Sequence, residues 1–180
     1  MNISIRTLKA DDLLEVRHII WNTWLTTYGP FIPEEDLHGF FDENYSVEAL
    51  EQQAANTNVF CFIAEIDGEI AGFERTYYNP EEKRFYVGSL YILPERHGLG
   101  LGTQLMLKAA QEAKKRSLES VWLGVMTQNQ QAVDWYKKIG FHVHEEKPFT
   151  MGKTTVPHFI GYVPVSSIEK AAKARSKKKK

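Results

Sequence analysis

Three glycines at alternate positions, Gly98, Gly100 and Gly102, are the densest chemical signal in the chain. They stand in His97-Gly98-Leu99-Gly100-Leu101-Gly102-Thr103, after an apolar run that ends at Leu93. A stretch from about Thr103 to Arg116 follows, with Leu105, Ala109 and Ala113 on one helical face. A loop of this kind can turn backbone N–H groups toward an anion, and the helix dipole adds partial positive charge. Glycine lets the backbone approach a phosphate with no Cβ in the way. A turn that needs glycine only for its shape is the plain alternative. A dinucleotide fingerprint does not fit, because its third glycine falls on Thr103 counted from Gly98 and on Leu105 counted from Gly100. A P-loop does not fit either, since no Gly-Lys-Ser/Thr follows.

Other residues offer chemistry of lower specificity. Asn129 heads a segment that ends at Gly140 and carries Tyr136, a phenol on the same helical face as Val133. Trp21, Trp24 and Tyr28 lie on or just beyond the first helix, as core or as the wall of an acceptor site. Glu34, Glu35, Asp36, Asp42 and Glu43 would attract a cationic amine, or simply face solvent. Glu74 and Tyr86 are further candidates for holding an amine. His142 and His144 share a strand face, yet no third ligand has metal spacing, so they read as solvent-facing and no metal is expected. Cys61 sits in the apolar run from Val59 to Ile63 and reads as core, not as a nucleophile.

The elements that must position these groups follow from periodicity. Ile3 and Ile5 mark a short strand, and Leu13, Val16, Ile20 and Trp24 mark one stripe of a helix ended by Gly29-Pro30. From Glu34 to Tyr45 the chain is acidic and aromatic without a clear period, and Ser46 to Ala55 reads as a second helix. Strands are predicted over Val59 to Ile66 and Glu69 to Tyr78, joined by the hairpin turn Asp67-Gly68, and over Arg84 to Leu93. Beyond the glycine loop come a strand at Val121 to Val125, the helix capped by Asn129, and last strands at Phe141 to Glu145 and His158 to Val165. This order gives a mixed α/β sheet with helices on both faces.

Two segments carry a family resemblance. Leu90-Tyr91-Ile92-Leu93-Pro94-Glu95-Arg96-His97-Gly98-Leu99-Gly100-Leu101-Gly102 resembles the acetyl-CoA motif of the GNAT N-acetyltransferase superfamily, Gln/Arg-x-x-Gly-x-Gly/Ala after a strand. The best register sets Gly100 and Gly102 on the glycines and His97 on the Gln/Arg position, a departure from the pattern. Asn129-Gln130-Gln131-Ala132-Val133-Asp134-Trp135-Tyr136-Lys137-Lys138-Ile139-Gly140-Phe141 resembles the superfamily's Asn-x-x-Ala-x-x-Phe-Tyr-x-Lys-x-Gly-Phe helix at the spacing expected of it. Within the superfamily the chain looks most like the PaiA-type spermine/spermidine acetyltransferases, through Ile92, His97 to Gly100, Trp122 to Val125, Tyr136 to Lys138 and Phe149 to Gly152. Gly88-Ser89 stands where such enzymes often carry an acidic residue, so no general base is carried over.

The resemblance implies a mostly antiparallel central sheet, splayed open beside the strand that ends at Leu93. It implies acetyl-CoA as cosubstrate, held by Tyr91, Ile92, Leu93, His97, Gly98, Leu99, Gly100, Leu101, Gly102, Thr103, Asn129 and Lys138, with backbone N–H groups near Ile92 and Leu93 polarising the thioester carbonyl. It implies Tyr136 as the acid that protonates the leaving thiolate. The acceptor is then a small primary amine, first a polyamine, met by Trp24, Tyr28, Glu34, Glu74 and Tyr86. A protein N-terminus or lysine as acceptor, and a non-catalytic acyl-CoA-binding regulator, are the alternatives.

Composition bounds the setting. The chain has 180 residues, 43% hydrophobic, with a net charge of −1, which suits one domain not tuned for nucleic acid or an anionic membrane. A single cysteine and no apolar signal or spanning run point to the cytoplasm. Residues 1–166 read as one catalytic domain, with a homodimer as a further expectation. Residues 167–180 read as a basic, disordered tail, so that a chain ending at Ala174 should retain activity on small amines.

Overall fold

The computed structural model describes residues 1–177. The strands are β1 (Ile3–Thr7), β2 (Val59–Ile66), β3 (Glu69–Asn79), β4 (Arg84–Ile92), β5 (Ser120–Met126), β6 (His142–Met151) and β7 (Thr154–Pro164). The helices are α1 (Leu13–Thr27), α2 (Glu34–Tyr45), α3 (Val47–Ala55), α4 (Leu101–Lys115), α5 (Gln130–Lys138) and α6 (Val165–Lys177). The strands form one sheet in the order β1-β2-β3-β4-β5-β7-β6. Neighbours are antiparallel except β4 and β5, which are parallel.

The β4–β5 pair decides the shape of the molecule. Only Phe85, Val87 and the intervening Tyr86 have partners on β5, so residues 88–92 of β4 and 124–126 of β5 diverge. A bulge at Gly88, where Val87 and Ser89 pair with consecutive residues of β3, helps turn β4 away. The sheet is therefore splayed open, as the resemblance implies.

Each face of the sheet has its own core. Met106, Ala109, Ala113, Val133, Tyr136 and Ile168 bring α4, α5 and α6 against Phe85, Val121, Leu123 and Val163. Val16, Ile20, Trp24, Leu37, Phe41 and Leu50 bring α1, α2 and α3 against Ile63 and Phe73 on the other face. The segment without a clear period is helix α2, started by Pro33 at its N-cap, with Leu37, Phe41 and Tyr45 buried at four-residue steps. The last two strands are longer than the apolar pattern indicates and form a hairpin over residues 142–164.

The basic stretch from 167 is not a disordered tail as far as residue 177. Val165, Ile168 and Ala172 form a buried stripe that docks α6 on α4, so this helix belongs to the same domain. Lys178–Lys180 lie outside the described residues.

Candidate active site

The glycine loop is shaped by its backbone. Gly98 and Gly100 have φ of +78° and +96°, in the left-handed region that side chains disfavour. Gly100 is the residue immediately before α4, and a Cβ on Gly102 would meet the Trp135 ring at 3.0 Å. Beside this loop lies a cavity of about 240 Å³, bounded by Tyr91, Ile92, Thr103, Asn129, Trp135 and Tyr136 as well as the loop. The first turn of α4 thus faces a cleft beside the glycine backbone, which the Arg175 side chain also lines, an arrangement suited to an extended anion.

A second cavity of about 340 Å³ opens on the α1–α2 face, lined by Trp24, Phe40, Tyr45, Arg75, Tyr77, Tyr86, Phe149 and His158 among others. Tyr28, Leu90, Tyr91, Asn129, Ala132 and Tyr136 line both cavities. The two therefore meet at the splay, with the Tyr136 phenol at their junction.

Tyr136 is buried, with its ring between Trp135 and Phe141 at 4.8 and 5.9 Å. Burial raises its pKa, so the phenol keeps its proton across the neutral range. Asn129 caps α5 by accepting from the Ala132 N–H at 3.2 Å. The His97 ring bridges the Ile92 carbonyl (3.0 Å) and the Gln131 amide (3.2 Å), which ties the loop to α5. Because a carbonyl only accepts, Nε2 carries the proton in this arrangement.

Of the predicted donor-site residues, Tyr91, Ile92, His97, Gly98, Gly100, Leu101, Gly102, Thr103 and Asn129 line the first cavity. Leu93, Leu99 and Lys138 do not line it. Leu99 packs on the cluster under the start of α4, and Lys138 is exposed in the last turn of α5. The Leu93 N–H donates to the Ala71 carbonyl at 3.0 Å and so is already spent on β3.

The acceptor candidates divide. Trp24, Tyr28 and Tyr86 line the second cavity, while Glu34 is an exposed residue at the start of α2, beside His38 at 3.5 Å. Glu74 is 0% exposed and lies between Phe62 and Leu90 on neighbouring strands. Neither of its oxygens has a hydrogen-bond partner, and burial holds its pKa well above the usual carboxylate range. The alternation of β3 sends Glu74 to the α4 face, whereas Arg75 and Tyr77 reach the acceptor cavity. Asp36, from the acidic run, accepts from the Lys153 N–H and the Thr154 hydroxyl at 2.9 and 2.6 Å, latching α2 to the β6–β7 turn.

Sequence patterns missed most of the second cavity. Tyr45 donates to or accepts from Ser89 at 2.7 Å and lies 3.3 Å from the Tyr91 hydroxyl. Arg75 packs its guanidinium over the Tyr45 ring, 5.3 Å from the centroid. His158, on β7, has its pKa lowered by burial. Cys61 is a buried free thiol pushed up to about 11 by burial, which agrees with a core role. No group of three or more potential metal-ligating side chains is present among the described residues.

A family model described as "Acetyltransferase (GNAT) family" matches residues 15–141. The chain belongs to the GNAT acetyltransferase family. Like other members it is an N-acetyltransferase whose acyl donor is acetyl-CoA. An uncharacterized N-acetyltransferase of Mycobacterium bovis is 28% identical over 141 residues, 78% of this chain and 90% of the relative. A spermidine N(1)-acetyltransferase of Thermoplasma acidophilum is 28% identical over 149 residues, 81% of this chain and 91% of the relative. The crystal structure of a PaiA N-acetyltransferase from Thermoplasma acidophilum in complex with coenzyme A superposes with a TM-score of 0.78 at 26% identity, covering 91% of this chain and 99% of that one.

Proposed function

We propose that this GNAT enzyme acetylates a primary amine of a small polyamine such as spermidine, in the cytoplasm. The observation that carries the reading is the meeting of two cavities at Tyr136. Acetyl-CoA supplies an activated acetyl group as a thioester. Gly98, Gly100, Gly102, Thr103 and the start of α4 hold its phosphates with backbone N–H groups. The free edge of β4 near Tyr91 and Ile92 orients the amide-bearing arm. The fit is supported by the Gly102–Trp135 approach, which leaves no room for a side chain at position 102.

His158 takes the proton that the attacking amine loses, since its lowered pKa keeps the imidazole neutral near pH 7. Tyr136 gives its proton to the departing sulfur and is reprotonated from solvent. Trp24, Tyr28, Tyr45 and Tyr86 wall the acceptor cavity with rings that can meet an ammonium group through cation–π contact. The spermidine acetyltransferase relative supports a polyamine acceptor.

One observation favours a second reading. Arg75 lines the acceptor cavity, and no Asp or Glu among the described residues does. An amine that also bears a carboxylate would suit such a lining. Steady-state turnover with spermidine, spermine and a panel of amino acids, followed by thiol release, decides between them. A higher kcat/KM for the polyamines is expected, and a higher value for carboxylate-bearing amines would overturn the polyamine assignment.

A further inference from the structure

Helix α6 carries a cation from the far end of the chain to the glycine loop. Lys114, near the end of α4, pairs with Glu169 in the first half of α6 at 2.8 Å. The last turn of α6 reaches the opposite end of α4, where Arg175 Nη2 donates to the Gly98 carbonyl. The two helices therefore run antiparallel. The Arg175 guanidinium fills the space that a Cβ on Gly100 would need, and it lines the first cavity. Its Nε is buried and has no hydrogen-bond partner.

The other basic groups at this mouth are engaged elsewhere. His97 spends both ring nitrogens on Ile92 and Gln131. Arg96 pairs with Glu69 at 3.3 Å. The guanidinium is not fully satisfied within the protein, and its side chain lines the cavity, where the fork can donate to an anionic oxygen. The planar fork of arginine also suits phosphate better than an imidazole does.

We infer that Arg175 is a phosphate ligand of the acyl donor, closing the glycine loop from the C-terminal helix. It supplies the side-chain cation that His97 does not. The inference rests on the assignment of the first cavity to acetyl-CoA, and it revises the expectation that a chain ending at Ala174 works normally. No bond forms or breaks at Arg175. Its role is to hold charge, so its loss should appear in donor affinity.

Calorimetric titration with CoA tests this. Arg175→Ala, and separately a chain ending after Ala174, should each weaken CoA binding about 10-fold and lessen its dependence on added NaCl. Arg175→Lys should recover part of the loss, and a chain ending after Ser176 should bind as the full chain does. Gly102→Val, which fills the cradle itself, should lose CoA binding altogether. Melting curves without ligand establish that each variant is folded. If Gly102→Val loses CoA while Arg175→Ala and the Ala174-terminated chain bind as well as the native protein or tighter, the role of Arg175 is overturned and the cavity assignment stands. If folded Gly102→Val still binds CoA normally, the cavity assignment itself fails and takes the inference with it.

Discussion

The two cavities that meet at the splay are built in opposite ways. The donor side is mostly local, drawn from the end of β4, the glycine loop and the first turns of α4 and α5. Its geometry comes from backbone: left-handed glycines, a helix N-terminus and an unpaired strand edge. The acceptor side gathers Trp24 from α1, Tyr45 from α2, Arg75 from β3, and Phe149 and His158 from the β6–β7 hairpin. Its chemistry comes from side chains, each replaceable without moving the backbone. A fixed donor can thus be combined with a changeable acceptor pocket, and substitutions should sort by the side they touch.

The junction residue should show the largest effect. Tyr136→Phe keeps the ring in its packing against Trp135 and Phe141 but removes the proton donor. Loss of general-acid help costs roughly 10² to 10⁴ in kcat, whereas calorimetric affinity for CoA should stay native. A kcat within about twofold of native would remove Tyr136 from the chemistry, since that is far below any general-acid contribution.

His158 should show the next largest effect, and only on the acceptor side. Its pKa is lowered from the usual histidine value, so kcat/KM for the amine should fall as pH drops through a value below about 6.5. His158→Gln should lower kcat/KM by about 10²-fold and flatten that acid limb. A variant whose acid limb is unchanged would assign the titration to another group.

Arg75→Gln sharpens the choice of acceptor. Removing a cation from the cavity should raise kcat/KM for spermidine about threefold, a surface-scale electrostatic effect. A fall for carboxylate-bearing amines, measured in parallel, would show which substrate class the guanidinium serves.

The smallest prediction concerns the donor-side core and leaves both substrates aside. Glu74 has no partner for either oxygen, so Glu74→Met should stabilise the fold by about 1–3 kcal/mol and raise the melting temperature by a few degrees. The sign with pH follows from linkage. A folded-state pKa raised above the unfolded value contributes stability below the unfolded pKa of about 4.3 and loses it as pH rises through the folded one. The melting gain of the variant should therefore be larger at pH 8 than at pH 5. Equal gains, followed by calorimetry, would mean that Glu74 finds a partner in solution.

The contrast between the sides also explains what the sequence made legible. Gly98, Gly100, Gly102, Asn129 and Tyr136 act through spacing along the chain, so pattern alone brings them together. Arg175 belongs to the same site but reaches it through helix packing, 77 residues downstream of Gly98, and its basic neighbours made it look like part of a solvated tail. The acceptor wall is long-range throughout. Tyr45 meets Ser89 only because α2 folds back over β4, and α2 itself was hidden because acidic residues mask the stripe of Leu37, Phe41 and Tyr45. Glu74 shows the opposite failure: an acidic residue in an apolar strand suggests a site, but strand parity alone sends it into the core. Leu93 was expected to offer its N–H to the substrate, and the bond to Ala71 removes it.

The divergence of β4 from β5 has a consequence for what can pair with the sheet. An unpaired strand edge is a template on which other chains polymerise, and proteins usually blunt it. On its outer margin this sheet does so: β6 carries Glu145, Glu146, Lys147 and Pro148, residues that discourage a visiting strand. The inner margins along 88–92 and 124–126 carry no such guard, yet they face one another across a wedge closed at its base by the Phe85–Val121, Tyr86–Trp122 and Val87–Leu123 pairs. A neighbouring protein's sheet is too broad to enter a slot of that shape. A single slender chain with amides of its own is not, so the wedge admits such a chain while it shuts out another sheet.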